Sequence, residues 1–161
     1  MIIKPAKQQD FPHLYDLLLL ADPSIEQIKL YLEKGICYVG SIDHVVIGVY
    51  VLVFKTPYLS EVANLAVSPN HQGKGYGKTL LQDAIKTAHS YGASAIKICT
   101  GNSSLDQLAL YQKCGFRMQH IDRDYFVVNY SEPIFENGIQ CMDRICLEKK
   151  LHQKGTKHSQ A

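Results

Sequence analysis

Three glycines at alternate positions, Gly73, Gly75 and Gly77, punctuate the run Gln72-Gly73-Lys74-Gly75-Tyr76-Gly77, and an amphipathic stretch begins directly behind them. Such a loop leaves its backbone uncovered. Where it opens a helix, its free N–H groups converge on one spot with the positive end of the helix dipole behind them. The chemistry is anion binding, with phosphate the natural occupant and Lys74 and Lys78 near enough in sequence to add charge. Spacing separates the familiar versions. A phosphate-binding loop of the Gly-x-x-x-x-Gly-Lys-Ser/Thr kind ends well at Gly77-Lys78-Thr79, but its first glycine falls on Gln72. The later strand Ala95 to Thr100 also lacks the terminal aspartate that would hold magnesium. A dinucleotide fingerprint needs glycine where Lys78 stands, and no acid ends the next strand.

The elements that must carry this loop are legible from periodicity. Ile2 to Lys4 opens a short strand, and Asp10-Phe11-Pro12 reads as the start of a helix with Leu14, Leu17 and Leu18 on one face. A second helix is capped by Ser24, carries Ile25, Ile28 and Tyr31-Leu32 inward, and is stopped by Gly35. Strands follow over Ile36 to Ile42, Val45 to Phe54 with a turn at Asp43-His44 between them, and Leu59 to Val67. Val45 to Phe54 is apolar throughout, which predicts burial on both faces.

Behind the loop, Leu80, Leu81, Ala84, Ile85 and Ala88 keep helical spacing from Tyr76 to Tyr91, with Gly92 as C-cap. The strand Ala95 to Thr100 then completes a right-handed, parallel β-α-β unit. Ser104-Leu105-Asp106-Gln107 fits a capping box for a helix ending near Gly115. Phe116 to Ile121 and Ile139 to Leu147 form a last antiparallel pair, with an irregular connection between them. The expected organisation is one domain over 1–151 and a polar, flexible tail over 152–161.

Composition narrows the class. A chain of 161 residues buries roughly two-thirds of its unfolded surface, enough for one core. With 46% hydrophobic and 20% charged residues it is neither disordered nor membrane-spanning. A net charge of +2, evenly spread, argues against nucleic acid as a partner, and the N-terminus lacks a secretory pattern, so a cytoplasmic location is expected. Five cysteines without a Cys-x-x-Cys read as reduced, mostly buried thiols; Cys141 and Cys146, an odd step apart, would face opposite ways on one strand. Seven histidines without a His-x-x-x-His or Glu-x-x-His pair give no metal site.

What fits in register is Gln-x-x-Gly-x-Gly at Gln72, Gly75 and Gly77. Together with the preceding Asn64-Leu65-Ala66-Val67-Ser68-Pro69 and the later Leu108-Ala109-Leu110-Tyr111-Gln112-Lys113-Cys114-Gly115-Phe116, it resembles the GNAT superfamily of N-acetyltransferases. The resemblance implies an α/β (α+β) fold: a mixed, mostly antiparallel twisted sheet of about seven strands flanked by helices, with the parallel unit at the cofactor site. The implied cofactor is acetyl-CoA. Its pyrophosphate would lie on Gln72, Gly73, Lys74, Gly75, Tyr76, Gly77 and Lys78, and its pantetheine arm and thioester along Leu65, Ala66 and Val67. At the start of the penultimate helix, Ser104 stands where such proteins often carry asparagine, and Asn102 lies two residues earlier, so either could reach the cofactor. Ser104 is equally readable as a plain helix cap.

Acetyl transfer to an amine needs a neutral nitrogen, and deprotonating an amine of pKa about 10.4 at pH 7 costs about 4.6 kcal/mol. Glu61 is the carboxylate on the strand leading to the thioester and the candidate base, directly or through water; alternatively it is a solvent-facing strand acid. Asn64 is a candidate for positioning the acceptor, and the Leu65 N–H for the developing oxyanion. Tyr111 matches the tyrosine that such enzymes place near the sulfur and is the candidate general acid; otherwise it is a core tyrosine.

No cysteine has an adjacent base, which favours direct attack in a ternary complex. The connection Asp122 to Gly138 supplies Asp122, Tyr125 and Tyr130 as candidate acceptor contacts, an acidic and aromatic rim suited to a cationic small-molecule or peptide amine. The same surface reads equally as a solvated loop or a homodimer contact. A non-catalytic acyl-CoA-binding module and, on weaker grounds, a nucleotide hydrolase are the competing readings.

Overall fold

The computed structural model describes residues 1–152, so all but the first residue of the expected tail lies outside the described residues. The chain runs β1 (Ile2–Pro5), a 3-10 turn (Gln8–His13), α1 (Tyr15–Leu18), α2 (Ile25–Lys34), β2 (Gly35–Ile42), β3 (Val45–Phe54), β4 (Leu59–Val67), α3 (Tyr76–Ser90) and β5 (Ala95–Gly101). It continues through α4 (Leu105–Lys113), β6 (Arg117–Asp122), α5 (Tyr125–Asn129), β7 (Ile134–Glu136), β8 (Ile139–Cys141) and β9 (Arg144–Lys150). Seven strands form one sheet in the order β1-β2-β3-β4-β5-β9-β6, while β7 and β8 pair separately. In the large sheet only β4 and β5 run parallel. This is the mixed, mostly antiparallel architecture expected.

β3 is central and buried on both faces from Ile47 to Val53, as its unbroken apolar run requires. On one face Tyr50 and Leu52 pack with Leu80, Leu81 and Ala84 of α3. On the other, Val49 and Val51 pack with Leu18, Ile28 and Leu32 of α1 and α2. The Asp43-His44 turn takes positive φ at both residues (48° and 64°), the geometry of a tight two-residue hairpin. Gly40 and Gly48 pair across β2 and β3 directly beneath Leu80; a Cβ on Gly48 would come within 2.6 Å of a Leu80 methyl. Their lack of side chains lets α3 lie close to the sheet.

Several expectations are corrected. The first helix is broken into a 3-10 turn and a single turn of α1, because Pro12 has no N–H to continue an α-helical ladder. Ser24 does cap α2, accepting from the Gln27 N–H, but Gly35 is extended (φ −126°) and begins β2 rather than forming a left-handed cap. The capping box at Ser104 is absent: Ser104 is the N-cap of α4, yet its hydroxyl makes no cap bond and turns to Glu136 instead. The single strand expected over Ile139 to Leu147 is split. The N–H groups of Met142 and Asp143 both donate to the Asn102 side-chain oxygen (2.8 and 3.0 Å), which draws the chain off the ladder between β8 and β9.

The cysteines depart furthest from expectation. β9 inserts between β5 and β6, which puts Cys146 opposite Cys99 in the β5–β9 register, with Cα atoms 4.1 Å apart and the sulfurs bonded. This removes the premise of five reduced thiols. Among the described residues no helix is long and apolar enough to cross a membrane.

Candidate active site

β4 and β5 pair only from Leu59 to Val62 against Ala95 to Ile98, and beyond Val62 they diverge. A register shift opposite Val51 and Leu52 makes Ala63 an extra residue on β4. This bulge re-aims the rest of the strand: Val62, Leu65 and Val67 pack toward α3, whereas Ala63 and Ala66 pack toward α1 and α2. Asn64 also turns to the α1 side, where its Nδ2 donates to the Leu18 carbonyl (2.9 Å) and to the Tyr31 hydroxyl (2.8 Å). The Leu18 carbonyl can only accept, which fixes the orientation of the amide. Its Oδ1 is buried with no partner among the described residues.

The Ser68 N–H donates to Ile47 on β3 (2.8 Å), so strand alternation turns the N–H and C=O of Val67 and Leu65 to the open side, facing the gap left by β5. The glycine loop begins just past that edge. Gly73 and Gly75 take positive φ (74° and 86°), with nothing within 4 Å of the point where a Cβ would stand, and Gly75 is the N-cap of the fifteen-residue α3. No side chain caps this helix and no acid lies in its first turn, so its leading amides are free for an anion. Gln72 is differently employed: its Nε2 donates to the Val67 carbonyl at 2.9 Å and braces the loop against β4.

These features line a cleft of about 390 Å³ bounded by Leu65 to Val67, by Gln72, Gly73 and Gly75 to Lys78, and by Tyr111. Ten of the thirteen residues expected at the cofactor lie here; Lys74, Asn102 and Ser104 do not. Lys74 is exposed outside the cleft. Asn102 is spent on structure, donating to the Gln140 carbonyl and accepting from Met142 and Asp143. His71, Asp106, Gln107 and Leu110 also line the cleft, though none was expected at the cofactor. Gln107, Leu110 and Tyr111 share one face of α4 at i, i+3 and i+4, a signal that was available in the sequence.

A second cavity of about 410 Å³ opens where β4 and β5 part. It is lined by Glu61 and Asn64 from β4, Asp22 and Tyr31 from the helical layer, and Tyr130 and Glu136 from the connection after β6. Leu65, Gln107 and Tyr111 line both cavities, so the two meet there. Tyr111 is 5% exposed; burial, and then the charge of Glu136, push its hydroxyl pKa well above the usual tyrosine value. Burial likewise raises Tyr31 and Tyr130, whose hydroxyl donates to Asp22 (3.0 Å).

Of the other candidates, Glu61 lies 3.3 Å from the Lys55 ammonium. Tyr125 reaches the cavity, but the Arg144 guanidinium covers its ring, 3.9 Å from the centroid. Asp122 is not in the lining. It is bound through Oδ2 by Arg144 Nε and Nη2 (2.8 and 2.6 Å), and that hydrogen bonding holds its pKa below the usual carboxylate range. His120, Asp122 and Cys146 converge from adjacent strands, a grouping that helical spacing cannot reveal. Arg144 already engages Asp122, and Cys146 is bonded to Cys99.

Known proteins fall in with this geometry. A family model described as the Acetyltransferase (GNAT) family matches residues 4–116. The uncharacterized N-acetyltransferase YvbK of Bacillus subtilis is 54% identical over 134 residues, covering 83% of this chain and 86% of that protein. A GNAT family acetyltransferase from Elizabethkingia anophelis, solved with acetyl-CoA bound, superposes with TM-score 0.90 at 45% identity over 93% of this chain and 97% of its own. A Bacillus subtilis acetyltransferase in complex with CoA gives TM-score 0.89 at 50% identity, with 93% and 98% covered.

Proposed function

The chain belongs to the acetyltransferase (GNAT) family and is an acetyl-CoA-dependent N-acetyltransferase, and from that premise we propose that it acetylates a primary amine on a cationic acceptor by direct attack in a ternary complex. The observation that carries this reading is the meeting of the two cavities at Leu65, Gln107 and Tyr111. One cavity has the features of a phosphate-bearing cofactor's cleft, with an open strand edge and an uncapped helix N-terminus. The other is lined by carboxylates and hydroxyls that suit an amine.

In this reading acetyl-CoA supplies an activated acetyl group, and the protein's residues do the rest. The amides of Gly75 to Lys78 hold the pyrophosphate, and the open edge of Leu65 and Val67 receives the pantetheine arm. The Leu65 N–H donates to the carbonyl oxygen as it gathers charge. Tyr111, whose hydroxyl makes no hydrogen bond among the described residues, gives its proton to the departing sulfur. Glu61 lines the acceptor cavity, but its carboxylate is already engaged by the Lys55 ammonium at 3.3 Å.

Direct attack is supported by the state of the cysteines that reach the acceptor cavity. Cys99 is bonded to Cys146, and burial pushes the Cys141 thiol up, so neither is an activated nucleophile. A cationic acceptor is supported by the charge balance. Among the described residues, Asp22 and Glu136 receive only neutral donors, while Lys55 and Arg144 each have a carboxylate partner and Lys34 stands exposed at the rim. Thiol release from acetyl-CoA, measured across polyamines, amino sugars and peptide amines, tests this. Faster turnover of the multiply charged amines is expected; no preference among them would remove the cationic assignment.

A further inference from the structure

We propose that Glu136, rather than Glu61, is the carboxylate that takes the proton from the incoming amine; the proposal rests on the acetyl-transfer reading above. Glu136 ends β7 and lines the acceptor cavity. Its two oxygens accept from the Ser104 hydroxyl at 3.2 and 3.1 Å, which orients the carboxylate and supplies no positive charge. Ser104 opens α4 and Tyr111 lies seven residues, about two turns, further along the same face. The same helix therefore holds both the carboxylate and the phenol.

The backbone behind Glu136 is fixed independently of substrate. Asn137 and Gly138 take positive φ (54° and 72°) and turn the chain from β7 to β8. Asn137 Nδ2 donates to the Ser103 carbonyl (2.9 Å), and Asn102 holds the far side of the hairpin through the Gln140 carbonyl and the Met142 and Asp143 amides. This pinning gives the hairpin a role that composition could not show: it delivers one carboxylate to the start of α4. By contrast Glu61, 14% exposed in its side chain, is already matched with Lys55.

The proton inventory closes on these residues. Glu136 accepts one proton from the ammonium nitrogen, forming an O–H bond as the N–H bond breaks, and the nitrogen regains the lone pair with which it attacks. Tyr111 gives its proton to the sulfur, and its phenolate then takes the second proton that nitrogen sheds as the amide forms. Glu136, exposed at the cavity, returns its proton to solvent. The two steps assist each other, because the charge on Glu136 opposes ionisation of Tyr111 until the first proton arrives.

The test compares the full-length wild type, Glu136→Gln and Glu61→Gln with two small acceptors near neutral pH: 1,3-diaminopropane, almost wholly protonated, and 2,2,2-trifluoroethylamine, largely neutral. Thiol release reads turnover, and calorimetric CoA affinity and thermal melts confirm an intact cofactor cleft. Glu136→Gln is expected to lose on the order of 100-fold in kcat on diaminopropane but less than about tenfold on trifluoroethylamine, with unchanged CoA affinity. Glu61→Gln is expected to affect both amines by the same factor. Equal losses on both amines for Glu136→Gln, or the selective loss appearing in Glu61→Gln instead, would overturn the proposal. Absence of thiol release by the wild type with either amine would overturn the acetyl-transfer reading itself, and this proposal with it.

Discussion

The side-chain amide of Gln72 donates to the carbonyl oxygen of Val67 at 2.9 Å, tying the glycine loop to the open end of β4. The contact is exposed, so its net worth is on the order of 1 kcal/mol. Gln72→Ala is expected to weaken acetyl-CoA binding by roughly 3- to 10-fold with kcat little changed, measured by calorimetry beside steady-state kinetics. A fall in kcat at constant affinity would mean the loop bears on chemistry rather than on binding.

Gly75 and Gly77 differ in what they require. Gly75→Ala forces a side chain to φ +86° in open space, so the cost is backbone strain of about 1–2 kcal/mol together with a displaced first turn of α3. Gly77→Ala meets Leu110 and Val67 at ordinary contact distances, 3.7 and 3.8 Å. Thermal melts should show a clear loss for Gly75→Ala and a smaller change for Gly77→Ala, while calorimetry shows weaker acetyl-CoA binding in both because both border the cleft.

Tyr111→Phe removes the phenolic proton and little else. The expected result is a loss of roughly 10²–10⁴ in kcat with unchanged CoA affinity. Full turnover by the variant would return Tyr111 to the core.

Tyr50 and Tyr111, 0% and 5% exposed, both have hydroxyl pKa values raised by burial, so the folded chain keeps protons that the unfolded chain releases above about pH 10. The folded state then binds more protons than the unfolded one, and stability falls as pH rises: about 1.4 kcal/mol per pH unit for each such tyrosine. Their contribution is fully present below pH 10. Urea midpoints measured across that range would decline; a flat profile would contradict the burial.

Asn102→Ala removes one donor and one twice-used acceptor from the base of the β7–β8 hairpin. A stability loss of about 2–3 kcal/mol is expected, with faster amide exchange over Ile134–Cys141 and little change over β3. Unchanged exchange there would show that the hairpin is held by other means.

Much of the sheet was legible in sequence because period-two runs and turn residues such as Asp43-His44 act locally. The cofactor end was legible for the same reason: glycine spacing and the amphipathic α3 are contiguous signals. What escaped was long-range. The insertion of β9 between β5 and β6 sets the Cys99–Cys146 pairing, and no local spacing encodes it. The Ala63 bulge puts Asn64 on the opposite face from Val62, whereas plain alternation would place the two together. Asn102 and Ser104 were both read toward the cofactor, whereas their partners, Gln140, Met142, Asp143 and Glu136, lie more than thirty residues on.

Leu65 and Tyr111 stand where the two cavities meet, the point at which cofactor and acceptor are proposed to come together. A crystal structure with acetyl-CoA tests it most directly. The pyrophosphate is expected on the amides of Gly75 to Lys78, the acetyl carbonyl within hydrogen-bonding reach of the Leu65 N–H, the sulfur beside the Tyr111 hydroxyl, and the acetyl methyl at the mouth of the Glu136-lined cavity. A pyrophosphate bound elsewhere, or an acetyl group pointing away from Tyr111, would contradict it.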